Sequence, residues 1–238
     1  MTRPGEAISG RRRLLMSVSA LGLGAHVLHI HRHWGASDGE IMERLPGDGL
    51  VPEPAESTTL GITVAAPATT IWSWLVQIGQ DRGGMYSYDW AENLLGLDIH
   101  STDQVRPQWQ QLSPGDRLVV VPEGYAGMPS GYAFTVARVD PPRTLVLRQS
   151  PPEHPWNGVW SFHVISRPDG SCRLLSRART EIPDSPALRF ATRLGEPVTL
   201  VMTRRMLRGI RLRAERASLR AVRSVLTKQS AVLPVITR

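Results

Sequence analysis

Five short runs rich in β-forming residues follow one another at short intervals between Arg117 and Thr180, and that succession limits what the chain can become. The runs cover 117–121, 132–139, 144–149, 158–165 and 172–180. Pro168-Asp169-Gly170 and Asp140-Pro141-Pro142-Arg143 supply turn chemistry between neighbours. Trp160, Phe162 and Val164 line up opposite Ser161 and His163. On the last run Arg173, Leu175, Arg177 and Arg179 oppose the smaller Cys172, Leu174, Ser176 and Ala178. One bulky apolar face and one mixed face are expected of an antiparallel sheet with a wet side. A long helical pattern then begins near Glu196, with Leu200, Thr203, Leu207, Ile210, Ala214 and Ala217 at intervals of three and four. An apolar stripe of that length needs a partner surface, and the bulky face of the sheet supplies it.

Upstream, 59–65 reads as a first strand. Pro67 suits a first helical turn, and Ile71, Trp74, Leu75 and Ile78 recur at helical spacing up to Gly79. No charge occurs between Ala68 and Gln80, so this helix is expected to be covered on most sides. Gly83-Gly84 breaks it. Ser87 is then placed to cap a short helix with Asp89 in its first turn, Trp90, Leu94 and Leu95 on one face, and Gly96 as its stop. The order predicts a curved sheet wrapped on the C-terminal helix, with a hollow between them roofed by this elbow.

The chain divides into an N-terminal hydrophobic segment (1–35), an extended linker (36–58), one core domain (59–227) and a tail (228–238). The 17 residues from Leu14 to Ile30 are free of Asp, Glu, Lys and Arg, and Arg11-Arg12-Arg13 precedes them. A membrane anchor is preferred on length. A twin-arginine export signal and a soluble apolar helix are the other two readings. The arginines before the span place the domain on the outer face of a bacterial cell membrane. His26, His29, His31 and His33 alternate in a spacing that suits neither a helix face nor a tetrahedral site, and are read as an interfacial collar, so no metal is assigned. The single cysteine, Cys172, excludes an internal disulfide framework. The net charge of +7 is concentrated in 189–238, where twelve Lys or Arg face only Glu196 and Glu215. Without interleaved aromatics, these arginines read as a solvated or anionic-membrane-facing surface, and nucleic acid is not an expected partner.

Ala66-Pro67-Ala68-Thr69-Thr70-Ile71-Trp72, the run Val139 to Leu147, and Trp160-Ser161-Phe162 ahead of Arg173-Leu174-Leu175 together resemble the START-like, SRPBCC superfamily of polyketide cyclase/dehydrase and lipid-transport proteins. The resemblance spans about residues 59 to 222. Gly83-Gly84-Met85-Tyr86-Ser87-Tyr88-Asp89-Trp90 with Gly96-Leu97-Asp98-Ile99-His100 resembles a membrane-tethered bacterial branch of it. It implies an α+β helix-grip fold and a pocket for a hydrophobic small molecule, a lipid or polyketide-like compound, with no cofactor. Since the fold hosts many functions, the site has to decide.

Tyr86, Tyr88, Trp90, Asn93, Trp109, Tyr132, Phe134, Trp156 and Trp160 are the candidate pocket residues, because aromatic walls with a few polar groups hold apolar ligands. Arg177 is a candidate for a ligand carboxylate or phosphate. His100, oriented by Asp98 or Asp103, and Asp89 are candidates for proton transfer; the carboxylates Asp81, Asp89, Glu92, Asp98 and Asp103 otherwise read as capping and solvated groups. The expectation is ligand carriage without chemistry. The alternatives are a cyclase or dehydratase working by general acid/base catalysis, and a membrane-surface interaction module that uses the basic helix.

Overall fold

The computed structural model describes residues 31–125, 128–150, 157–181 and 185–232. Its elements in order are α1 (Asp38–Met42), β1 (Glu56–Val64), α2 (Ala68–Leu75), α3 (Asp89–Leu94), β2 (Arg117–Val121), β3 (Tyr132–Asp140), β4 (Thr144–Gln149), β5 (Gly158–Ser166), β6 (Cys172–Thr180) and α4 (Pro186–Val232). The six strands form one antiparallel sheet in the order β1-β6-β5-β4-β3-β2. Register shifts between Val119 and Val121 and between Val136 and Arg138 add twist at the β2–β3 side.

α4 runs along β1. Arg32, which ends a helical turn, bonds Glu196 with Nε and Nη2 near the start of that strand, and Glu215 accepts from Ala65 N–H just past its end. Leu200, Met206, Leu207, Ile210 and Ala214 turn inward. They meet Leu60, Ile62 and Val64 of β1, Phe162 and Val164 of β5, and Ile71, Trp72, Trp74 and Leu75 of α2 in one continuous core. This is the expected α+β helix-grip arrangement. α4 begins ten residues before Glu196, because Pro197 inside it does not end the helix.

Two expectations change. The stretch 36–58, read as an extended linker, folds across the outer face of β6. Ser37 and Glu40 form a capping box at α1, and Leu45, Asp48 and Val51 are buried. Val51 packs on Val146 and Val159, so the mixed face of the sheet is not simply wet. The hollow under α4 is the second. Tyr86, Phe162, Ile71, Leu75, Leu207 and Ile210 occupy that interior and are almost fully buried. Two concavities, of about 710 and 360 Å³, lie outside this core.

The span Leu14–Ile30 and the tail from residue 233 onward lie outside the described residues, as does Trp156. Among the described residues no helix is long and apolar enough to cross a membrane.

Candidate functional site

The alternation of β3 and β5 sends Tyr132, Phe134, Trp160 and Phe162 to the inner face of the sheet. Their rings form a continuous row, with centroids 5.7 Å apart for Tyr132–Phe134, 5.4 Å for Phe134–Trp160 and 4.7 Å for Trp160–Phe162. Phe162 is sealed in the core, whereas Trp160, Phe134 and Tyr132 are half-buried. The row thus leaves the core and emerges at the sheet end where β6 reaches Ala178, the residue across from Trp160. Ser176 accepts from the Trp160 indole N–H at 2.9 Å, which fixes the ring between Phe134 and Phe162. At the same end the first turns of α4 carry exposed Phe190, Leu194 and Val198. Of the aromatic residues singled out in the sequence, Tyr132, Phe134 and Trp160 form this partly exposed shelf.

The elbow residues have other duties. Tyr86 is in the core, stacked edge-on to Trp74 at 6.0 Å, and its hydroxyl accepts from Gln77 Nε2 at 2.7 Å. Burial pushes its phenol up to about 12, against the pull of that hydrogen bond and of nearby Arg213. Its backbone takes φ of 54° and lies so close to Gly209 of α4 that a Cβ there would collide with it. Tyr86 therefore docks the elbow on α4 and is not a pocket wall. Asn93 closes the loop after α3 through both Ile99 N–H and Ile99 C=O. Ser87 does not cap α3; its hydroxyl donates to Met202 C=O of α4, and Tyr88 precedes the helix without a side-chain cap. Tyr88 is half-buried against Trp90, and Arg205 lies over its ring. Trp90 is 72% exposed, and Leu94 and Leu95 share that exposure, so the apolar face of α3 points outward. Half-buried Trp109 lies on a separate turn, where its C=O accepts from Arg82.

Arg177, expected to reach a ligand, is 2% exposed on the opposite face of the sheet. Its guanidinium donates to Thr59 Oγ1, Glu43 C=O, Asp48 Oδ2, Glu40 C=O and Ile41 C=O, and has no donor left over. Beside it His163 is buried, and burial followed by the Arg177 charge pulls its imidazole down to about 4.

Of the proton-transfer candidates, His100 meets one of its expected orienters, Asp98, whereas Asp89 stands apart from it. His100 meets Asp98 at 3.0 Å on an exposed loop, while both oxygens of Asp89 accept from Ser101, at 2.7 Å from its N–H and 2.6 Å from its hydroxyl. The carboxyl that stands out is Glu92, one turn along α3. It is 4% exposed, its Oε2 has no hydrogen-bond partner among the described residues, and burial followed by the Asp89 charge pushes it up to about 7. In the sequence Glu92 is one of five carboxylates around the elbow, and nothing singles it out except its i,i+3 spacing from Asp89.

No family model matches the chain. No curated protein matches it either. Among solved structures, a hypothetical protein of Helicobacter pylori is similar at 12% identity, covering 72% of this chain and 95% of its own, with a TM-score of 0.45. CalC, a self-sacrificing resistance protein of Micromonospora echinospora, is similar at 14% identity over 68% of this chain and 96% of its own, with a TM-score of 0.40. A norcoclaurine synthase point mutant from Thalictrum flavum, in complex with a transition-state analogue, is similar at 18% identity over 68% and 96%, with a TM-score of 0.36.

Proposed function

We propose that this protein binds a small apolar molecule on the aromatic shelf of Tyr132, Phe134 and Trp160. One observation carries the reading: a row of contacting rings that begins in the core and ends partly exposed on the concave side of the sheet. Partly exposed aromatic rings gain from contact with a ring or an alkyl chain, and here they are already held in place by each other and by Ser176. The site is a shelf at the sheet's end, where the sequence led to an enclosed chamber. Lipid-like and polyketide-like compounds both match it. Membrane attachment through Leu14–Ile30, with the domain on the outer face, belongs to the same proposal and rests on the sequence span alone; its check is whether the chain sediments with membranes until 1–35 is deleted.

The test is titration of the full chain with a fluorescent naphthalene or anthracene probe, alongside native mass spectrometry for a co-purifying apolar compound. Phe134→Ala and Trp160→Ala should each weaken the probe at least tenfold, while Asn93→Ala leaves it unchanged. Equal binding by all three variants would remove the shelf from consideration.

Glu92 supports a second reading, acid/base catalysis on the bound compound. A carboxyl poised near 7 beside an accepting carboxylate can hold a proton at neutral pH and release it. If so, Glu92→Gln abolishes turnover of a polyketide model substrate without affecting probe binding, and His100→Ala leaves turnover intact.

A further inference from the structure

The larger concavity lies on the far side of α4 from the core, between that helix and the free edge of β1. Its walls are Trp34, Arg173, Arg205, Arg208, Arg211 and Glu215, with Gly61 to Thr63 as the floor and Leu212 at one side. β1 is an edge strand, so half of its backbone groups point away from β6, and those of Gly61 and Thr63 do so along this groove. Gly61 N–H is taken by Trp34 C=O, and Ala65 N–H by Glu215. In an antiparallel pair, residues two apart point the same way, so Thr63 N–H, midway between those two, also faces outward. No protein acceptor meets it among the described residues.

The charges lining the groove do not balance. Arg173 is satisfied by both oxygens of Glu40, and Arg211 by Glu215. Arg205 and Arg208 have no carboxylate partner among the described residues; each is stacked instead on a ring, Arg205 over Tyr88 at 5.5 Å and Arg208 over Trp34 at 4.9 Å. Two paired and two unpaired arginines leave a net charge of about +2. Stacking engages the flat face of a guanidinium and leaves its in-plane N–H donors free for an oxyanion. Neighbouring Arg204 also lies over the Trp34 ring and bonds His31 Nδ1 and C=O; burial, then the Arg208 charge, pulls it below the ordinary arginine range.

The apolar side of the groove is continuous with the helix surface. Leu212 lines it, and Leu219, Val222 and Leu226 follow at intervals of seven, three and four on the same face of α4, all exposed.

We propose that this groove binds the phosphate of an anionic amphiphile, with Arg205, Arg208 and Thr63 N–H on the phosphate and Leu212 and Leu219 under its chain. Several converging donors with a charge near +2 suit a phosphate's three or four oxygens better than a single carboxylate. The site is separate from the aromatic shelf and stands or falls without it.

Isothermal titration of the full chain, held in a neutral detergent, tests this with inorganic phosphate, dihexanoyl phosphatidic acid and zwitterionic dihexanoyl phosphatidylcholine. Phosphatidic acid should bind at least tenfold more tightly than the other two, and weaken as salt is raised. Arg205→Gln with Arg208→Gln should weaken it at least tenfold, while Arg220→Gln, outside the groove, leaves it unchanged. Binding that survives Phe134→Ala separates this site from the shelf. Equal affinity for inorganic phosphate would keep the phosphate site and overturn the chain track. Absence of phosphatidic acid binding, or unchanged binding by the double variant in a chain with wild-type unfolding, would overturn the proposal.

Discussion

Arg177 and the pair Arg205 and Arg208 are the same side chain put to opposite uses. Arg177 lies under the folded stretch 36–58, its donors spread over three carbonyls, a hydroxyl and Asp48. Arg205 and Arg208 stand at the solvent edge of α4 against aromatic rings, with no carboxylate partner among the described residues. A guanidinium taken out of water has to be saturated, and once saturated it has nothing to offer a ligand. One that keeps its water needs no such saturation, so it remains available for binding. Saturation therefore separates a structural arginine from a recognition arginine more sharply than its position on a strand or a helix does.

The largest expected consequence is on the saturated side. Arg177→Met takes the hydrogen-bonded cation from buried Asp48 and leaves it only Arg179, 3.9 Å away, so urea unfolding should show a loss of about 3–5 kcal/mol. A loss under 1 kcal/mol would break the contrast.

His163 reports on the same cluster through pH. Its folded value is about 4 against an ordinary 6.5, so as pH falls through that window the unfolded chain takes up the proton first. Stability should be full above 6.5 and decline toward pH 4, by up to about 3 kcal/mol. In His163→Gln the urea midpoint should be flatter over that range.

Glu92 extends the comparison to an unpartnered group of the opposite charge. Its folded value is raised to about 7 from 4.5, so the folded chain keeps a proton that the unfolded chain has released. The stabilisation this gives relative to a charged carboxylate is present below 4.5 and lost as pH rises through 7. Glu92→Gln should therefore raise the unfolding midpoint above pH 7, by roughly 1–3 kcal/mol, and change it little at pH 4.

The smallest effect is expected at the groove. Arg205→Gln and Arg208→Gln lose stacking on Tyr88 and Trp34 at an exposed surface, so thermal unfolding should shift by no more than about 1 kcal/mol. A larger shift would mean that these arginines hold α4 to the N-terminal stretch and are structural like Arg177.

Local pattern settled the sheet and its helix. Turn residues between β-rich runs placed β2 to β6 within a residue of where they lie, and the stripe from Leu200 to Ala214 identified the buried side of α4, because alternation and helical periodicity are properties of neighbouring residues. Trp160, Phe134 and Tyr132 were legible as a candidate site for the same reason. Which polar groups are buried, and by what, was decided only in three dimensions. Arg177 acquires its acceptors from residues more than a hundred positions away, Tyr86 is sealed by Gly209, and the groove exists only because α4 lies along the edge of β1. Desolvation depends on what packs above a residue, and a one-dimensional pattern does not carry that information.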